Sequence, residues 1–166
     1  WNVQSLHLAS LTGLPFPEIN RVLEKAADYI SKCQSPKGTF AYQLGKNGKP
    51  SLTGAGAYSL TLTRKKLQKQ ALKAMDWLVA NQPKSWGEID PYAHYHNSHA
   101  FACADTLQGE VKGHTLWKKR STQLILENQL PDGSWPVAVH FHGDSTLFRN
   151  TLFLLSLQSD YRYAYE

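Results

Sequence analysis

Gln129-Leu130-Pro131-Asp132-Gly133-Ser134-Trp135 says more about the fold than any other part of this 166-residue chain. Asp132-Gly133 allows a tight turn, because glycine tolerates positive φ. Trp135 is placed to fold its large face back over the preceding helix end. The Gln129 amide can hydrogen-bond backbone groups that a helix terminus leaves unpaired. Two other segments look alike: Cys33-Gln34-Ser35-Pro36-Lys37-Gly38-Thr39-Phe40 and Asn81-Gln82-Pro83-Lys84-Ser85-Trp86-Gly87. Each has a glutamine, a Pro/Gly-type turn and an aromatic. The glutamines stand 48 and 47 residues apart, a period that marks a helical-hairpin repeat.

Each glutamine closes a helical pattern. Before Gln34, Ile19, Val22, Leu23, Ala26, Ala27, Ile30 and Cys33 form one apolar stripe, with Pro17 and Glu18 suited to its start. Before Gln82 the stripe is Leu67, Ala71, Ala74 and Leu78. Before Gln129 it thins to Leu116, Leu124 and Ile125. A second, less charged helix is expected after each turn, over Leu52–Thr63, His94–Leu107 and Ser145–Leu157. Little charge around the circumference points to burial. Outer charged helices therefore pair with inner apolar ones, and Gln4–Thr12 reads as an inner helix left from a preceding repeat. Only Val137–Phe141 hints at a strand. Trp86 and Trp135 are expected to be buried at the repeat junctions.

Composition sets the outer limits. Hydrophobic residues make up 42% and charged residues 19%, so the chain is globular, and its length suits one domain, 1–166. No apolar run approaches the ~18–20 residues of a membrane span. The two cysteines, Cys33 and Cys103, make no disulfide framework, and the compartment stays open. Opening on Trp1, the chain reads as the C-terminal piece of a longer protein.

The Gln129–Trp135 stretch resembles the QW motif of squalene and oxidosqualene cyclases, and related repeats occur in protein prenyltransferase β subunits. From about Gln4 to Tyr163 the chain is similar to bacterial prenyltransferase/squalene oxidase repeat proteins. That resemblance implies an α/α toroid with inner and outer helix rings. Three and a half hairpins would make a partial or open toroid, since a closed one takes about twice as many. The family's chemistry is not matched. The Asp-x-Asp-Asp acid of class II cyclases is missing, Asp105 standing alone in Ala102-Cys103-Ala104-Asp105 and Asp144 without a partner. The prenyltransferase zinc pattern is reversed, as Cys103-Ala104-Asp105, and the thioester Cys-x-x-Gln is absent.

One patch stands out. Asp90–His99 holds three histidines and two tyrosines, and the chain has seven histidines in all. On a helix, Tyr92, His96, His99 and Cys103 share a face. His140 and His142, after the third turn, and Arg149, on the next inner helix, are candidates to face the same cavity. Tyr92, Asn97, His140, His142 and Arg149 are the candidate ligand-binding residues. If chemistry occurs, His96 or His99 is the expected base and Tyr95 the proton donor. No cofactor is expected; the alternative is zinc on His99 and Cys103, joined by His96, His140 or His142. The bland alternative is aromatic packing with satisfied polar tips.

Weaker features are expected to be structural. Arg64, Lys65, Lys66, Lys69 and Lys73 read as a solvated helix face, with no nucleic-acid motif beside them. Leu44–Pro50 reads as a surface loop. Gly54 and Gly56 permit close helix packing. Tyr161–Tyr165 docks the terminus or marks a partner surface. The expectation is thus an all-α toroid-type array acting as a ligand-binding or scaffold module. An isoprenoid enzyme (terpene cyclase or prenyltransferase-like) and a carbohydrate lyase or sugar binder stand as alternatives, and whether it is an enzyme stays open. Its partners would be an isoprenoid-like or carbohydrate ligand, a protein, or a second copy.

Overall fold

The computed structural model describes the chain except for residues 14, 64–68, 138–144 and 164–166, with backbone alone at 108, 162 and 163. His140, His142, most of the Val137–Phe141 segment, Asp144, Leu67, Arg64, Lys65, Lys66 and the end of Tyr161–Tyr165 therefore lie outside the described residues. The described chain is all-helical: α1 (Asn2–Leu11), α2 (Ile19–Lys32), α3 (Pro50–Thr63), α4 (Lys69–Ala80), α5 (Pro91–Gln108), α6 (His114–Glu127), α7 (Thr146–Leu157) and the short α8 (Ser159–Tyr163). Among the described residues extended pairing is limited to isolated bridges at Gln34–Phe40 and Phe40–Lys49.

Two rows of helices result. The apolar helices α1, α3, α5 and α7 pack side by side in that order. Helices α2 and α4 lie against α3, and α6 covers α5 through rings: His114 stacks on Phe101, and Trp117 on His94. The charged helices bury one stripe each, for example Leu23 and Ala27 of α2 or Ala71, Ala74, Met75 and Leu78 of α4, as amphipathic surface helices do.

The helices α3 and α5 approach closely because α3 is small where they meet. A Cβ at Gly54 would lie 2.0 Å from Asn97 Oδ1, and one at Gly56 would lie 2.3 Å from the Phe40 ring. Gly54 serves the close helix packing that the sequence suggests, whereas Gly56 makes room for the Phe40 ring of the first turn.

The first and third turns are the same device. Gln34 Nε2 donates to Gly38 O at 3.1 Å, and Gln129 Nε2 to Gly133 O at 2.9 Å. Ser35 N donates to Thr39 O and Leu130 N to Ser134 O, each at 2.8 Å. Gly38 (φ +99°) and Gly133 (φ +82°) hold the left-handed position, which costs a side-chain-bearing residue ~1–2 kcal/mol. Asp132 Oδ1 accepts from Ser134 N and Ser134 Oγ, and these bonds hold its carboxyl below its ordinary pKa. Gln34 reaches further, donating to Gln70 O on α4 at 2.7 Å, so this turn ties one hairpin to the next. Phe40 and Trp135 fill the matching core positions, 2% and 1% exposed.

The second turn departs from this pattern. Gln82 Nε2 donates back to Val79 O, and Trp86–Glu88 forms a single 3-10 turn. Trp86 is half-buried rather than sealed in the junction; it flanks the cluster of Ile89, Ile125, Trp135 and Phe153. Ile89 is fully buried in that cluster. The reason is spacing: the aromatic follows the glutamine by four residues here and by six in the other two turns.

Candidate functional site

Helix α5 carries most of the candidate residues and is firmly started. Asp90 caps it, accepting from Tyr92 N at 2.9 Å and Ala93 N at 3.2 Å, with Pro91 at the first helical position. Burial raises the Asp90 pKa, partly offset by those two bonds.

The structure brings Tyr92, Tyr95, His96 and His99 together. His96 is surrounded by the rings of Tyr92 at 4.6 Å, Tyr95 at 4.9 Å, Trp1 at 5.3 Å and Tyr58 at 6.4 Å between centroids. His99 stacks on Tyr58 at 5.5 Å and lies 4.4 Å from Tyr95. Trp1 lies over the group, stacked on Tyr95 at 5.3 Å, with 56% of its surface exposed. Sequence reading missed Tyr58 and Trp1, because both come from other helices or their ends.

His96 is 1% exposed, and neither ring nitrogen has a hydrogen-bond partner among the described residues. Burial pushes its pKa down to about 3, helped by the neighbouring His99. The ring is therefore neutral near pH 7, with one donor and one acceptor on offer. Tyr92 is shifted the other way: burial, then Asp90 and Tyr42, raise its hydroxyl pKa. Asn97 is buried on the side facing Gly54 of α3, with Oδ1 unpartnered among the described residues.

The remaining candidates part company. Cys103 belongs to the main hydrophobic core. Arg149 is buried on α7, and its Nε donates to Trp135 O at 2.8 Å, so it secures the third turn. No group of three or more His, Cys, Asp or Glu side chains among the described residues is arranged to hold a metal ion.

The structure also gives Asp105 a partner that its isolation in the sequence concealed. Its Oδ2 accepts from His114 Nδ1, and its Oδ1 accepts from Val111 N at 2.7 Å. Both side chains line a cleft of about 360 Å³ together with Thr106, Thr115, Lys118 and Asp160, and Lys118 pairs with Asp160. The only sequence signal is the short loop bounded by Gly109 and Gly113, which returns the first residue of α6 to the last turn of α5. A third feature is an apolar cleft of about 180 Å³ between α2 and α3, lined by Tyr29, Ile30, Phe40, Tyr42 and Leu52.

No family model, curated protein or solved structure matches this chain.

Proposed function

We propose that this chain is a ligand-binding helical-repeat module of the α/α toroid type, with its binding site at Tyr92, Tyr95, His96 and His99. The reading rests on one observation: His96 is buried in an aromatic box with both ring nitrogens unpartnered among the described residues. Buried polar groups are nearly always hydrogen-bonded, so such a group asks for a functional account. A hydroxyl satisfies either side of a neutral imidazole. The flat rings of Trp1, Tyr92 and Tyr95 offer apolar faces. The chemistry that meets both demands is a hydroxyl-bearing ring with apolar faces, that is, a carbohydrate. Trp1, mostly exposed, is the side chain that would move to admit it. The matched first and third turns support the repeat architecture.

A second reading draws on the apolar cleft beside Ile30, Phe40 and Leu52, which suits an isoprenoid chain, as the QW resemblance implies.

Calorimetric titration with a neutral β-linked glucose hexamer and, separately, with farnesol distinguishes the two. Saturable hexamer binding, weakened at least tenfold by His96→Ala and by Tyr92→Ala, is the expected result. Absence of sugar binding, or binding indifferent to both changes, overturns the first reading. Farnesol binding lost on Leu52→Arg but kept in His96→Ala favours the second.

A further inference from the structure

The α5–α6 connection builds a second arrangement, separate from the Tyr/His box. We propose that Asp105 and His114 form an ester-hydrolysing site, in which His114 Nε2 draws a proton from water beside a small ester held in the 360 Å³ cleft.

A carboxylate only accepts hydrogen bonds, so the contact with Asp105 Oδ2 places the imidazole proton on Nδ1. Nε2 is then the free acceptor, the tautomer a general base needs. The ring is held in place from two sides. It lies parallel to Phe101, 4.6 Å between centroids at 7°, and its Asp105 partner is itself fixed by Val111 N. His114 is 5% exposed, and it lines the cleft beside Asp105. The cleft is at the small end of the range for small-molecule sites, ~300–1,000 Å³, which limits the substrate to a short acyl group and a compact alcohol.

A water proton passes to Nε2 as the water oxygen bonds to the carbonyl carbon, and the C=O π pair moves onto the carbonyl oxygen. When that pair returns, the alcohol oxygen leaves with its bonding pair and takes the proton from Nε2. Ester and water become acid and alcohol, with no other reactant. Lys118 lines the same cleft and is paired there with Asp160, so its ammonium offsets the negative charge on the carbonyl oxygen only by turning from that carboxylate. Asp105 acts through His114 and is a positioning residue.

Hydrolysis of p-nitrophenyl acetate, followed by nitrophenolate absorbance, tests this. The wild-type chain is expected to exceed an equal concentration of free imidazole. His114→Gln should lower the rate at least tenfold. Asp105→Asn should lower kcat several-fold with little change in KM, and His7→Gln, on α1, should leave the rate unchanged. A wild-type chain no faster than imidazole, or a His114→Gln variant at the wild-type rate, overturns the proposal. Because His114 is packed on Phe101 and its variants could misfold, the unaltered protein is also treated with diethyl pyrocarbonate and mapped by mass spectrometry. Activity is expected to fall in step with His114 modification; activity that survives full modification there overturns the proposal equally.

Discussion

Single side chains decide how closely α3 and α5 meet, and Gly54 is a glycine by necessity. Gly54→Ala would place a methyl group 2.0 Å from Asn97 Oδ1 and 2.6 Å from Asn97 N. The nearest obstacles include main chain, so the helices themselves must part. Overpacking of this kind costs ~1–3 kcal/mol, and a lowered urea midpoint with an unchanged slope is the expected result. Trp135 carries a different load. It is 1% exposed, and its indole N–H donates to Ile125 O at 2.8 Å. Trp135→Ala removes both packing and that bond, for an expected loss of ~3–5 kcal/mol. Trp86→Ala, at a half-buried site, is expected to cost clearly less in the same unfolding measurement. Both aromatics were visible in the sequence as turn residues. Their unequal burial was not, because it depends on which residues pack beside them: Ile89, not Trp86, is fully buried in the cluster with Trp135.

Among the elements, the first and third turns share one hydrogen-bond pattern. Gln34 makes two hydrogen bonds, one within its turn and one to Gln70 O of α4. The Gln129 side chain donates within its own turn, to Gly133 O. Gln34→Ala is therefore expected to cost ~1–2 kcal/mol, and Gln129→Ala less than half as much, by chemical denaturation. The same asymmetry applies to the glycines. Gly133→Ala meets only the left-handed backbone penalty. Gly38→Ala also drives a methyl group to 2.8 Å from Lys73 O, so its loss of stability should be the larger. The helices themselves were legible: α2, α3, α5 and α7 lie within a few residues of where periodicity puts them. The short α8 was not legible, because five residues carry too little pattern. The departure of the second turn was legible in the four residues from Gln82 to Trp86, against six in the other turns, but its similar composition hid it.

For the whole molecule, buried histidines set the response to acid. Burial lowers His94 to about 4 and His96 to about 3, against ~6.5 in an unfolded chain. Between pH ~6.5 and ~4 the unfolded chain binds protons that the folded one refuses. Stability is thus fully present above pH ~6.5 and falls as the pH drops through this window. Each such histidine contributes a slope of ~1.4 kcal/mol per pH unit at most. Urea midpoints are expected to fall from pH 7 to pH 5, and His96→Phe is expected to flatten that fall by about half. A midpoint independent of pH over this range would mean that the rings are hydrated rather than sealed.

By itself the sequence determined the longer helices and the two Gln-to-Gly turns at Gln34 and Gln129. These follow from constraints that act within a few residues: the 3.6-residue repeat of an apolar stripe, and the positive φ that glycine alone adopts cheaply. It also picked out the Tyr/His patch, since Tyr92, His96 and His99 share one helix. Tertiary structure alone decided what surrounds them. Trp1 and Tyr58 reach His96 from elsewhere in the chain, and their packing, not the helix, strips water from the imidazole and leaves its nitrogens unpartnered among the described residues. His114 likewise meets Asp105 only because the Gly109–Gly113 loop folds α6 back across α5. Burial and hydrogen-bond pairing belong to neighbours in space, and the period of a single helix carries no record of them.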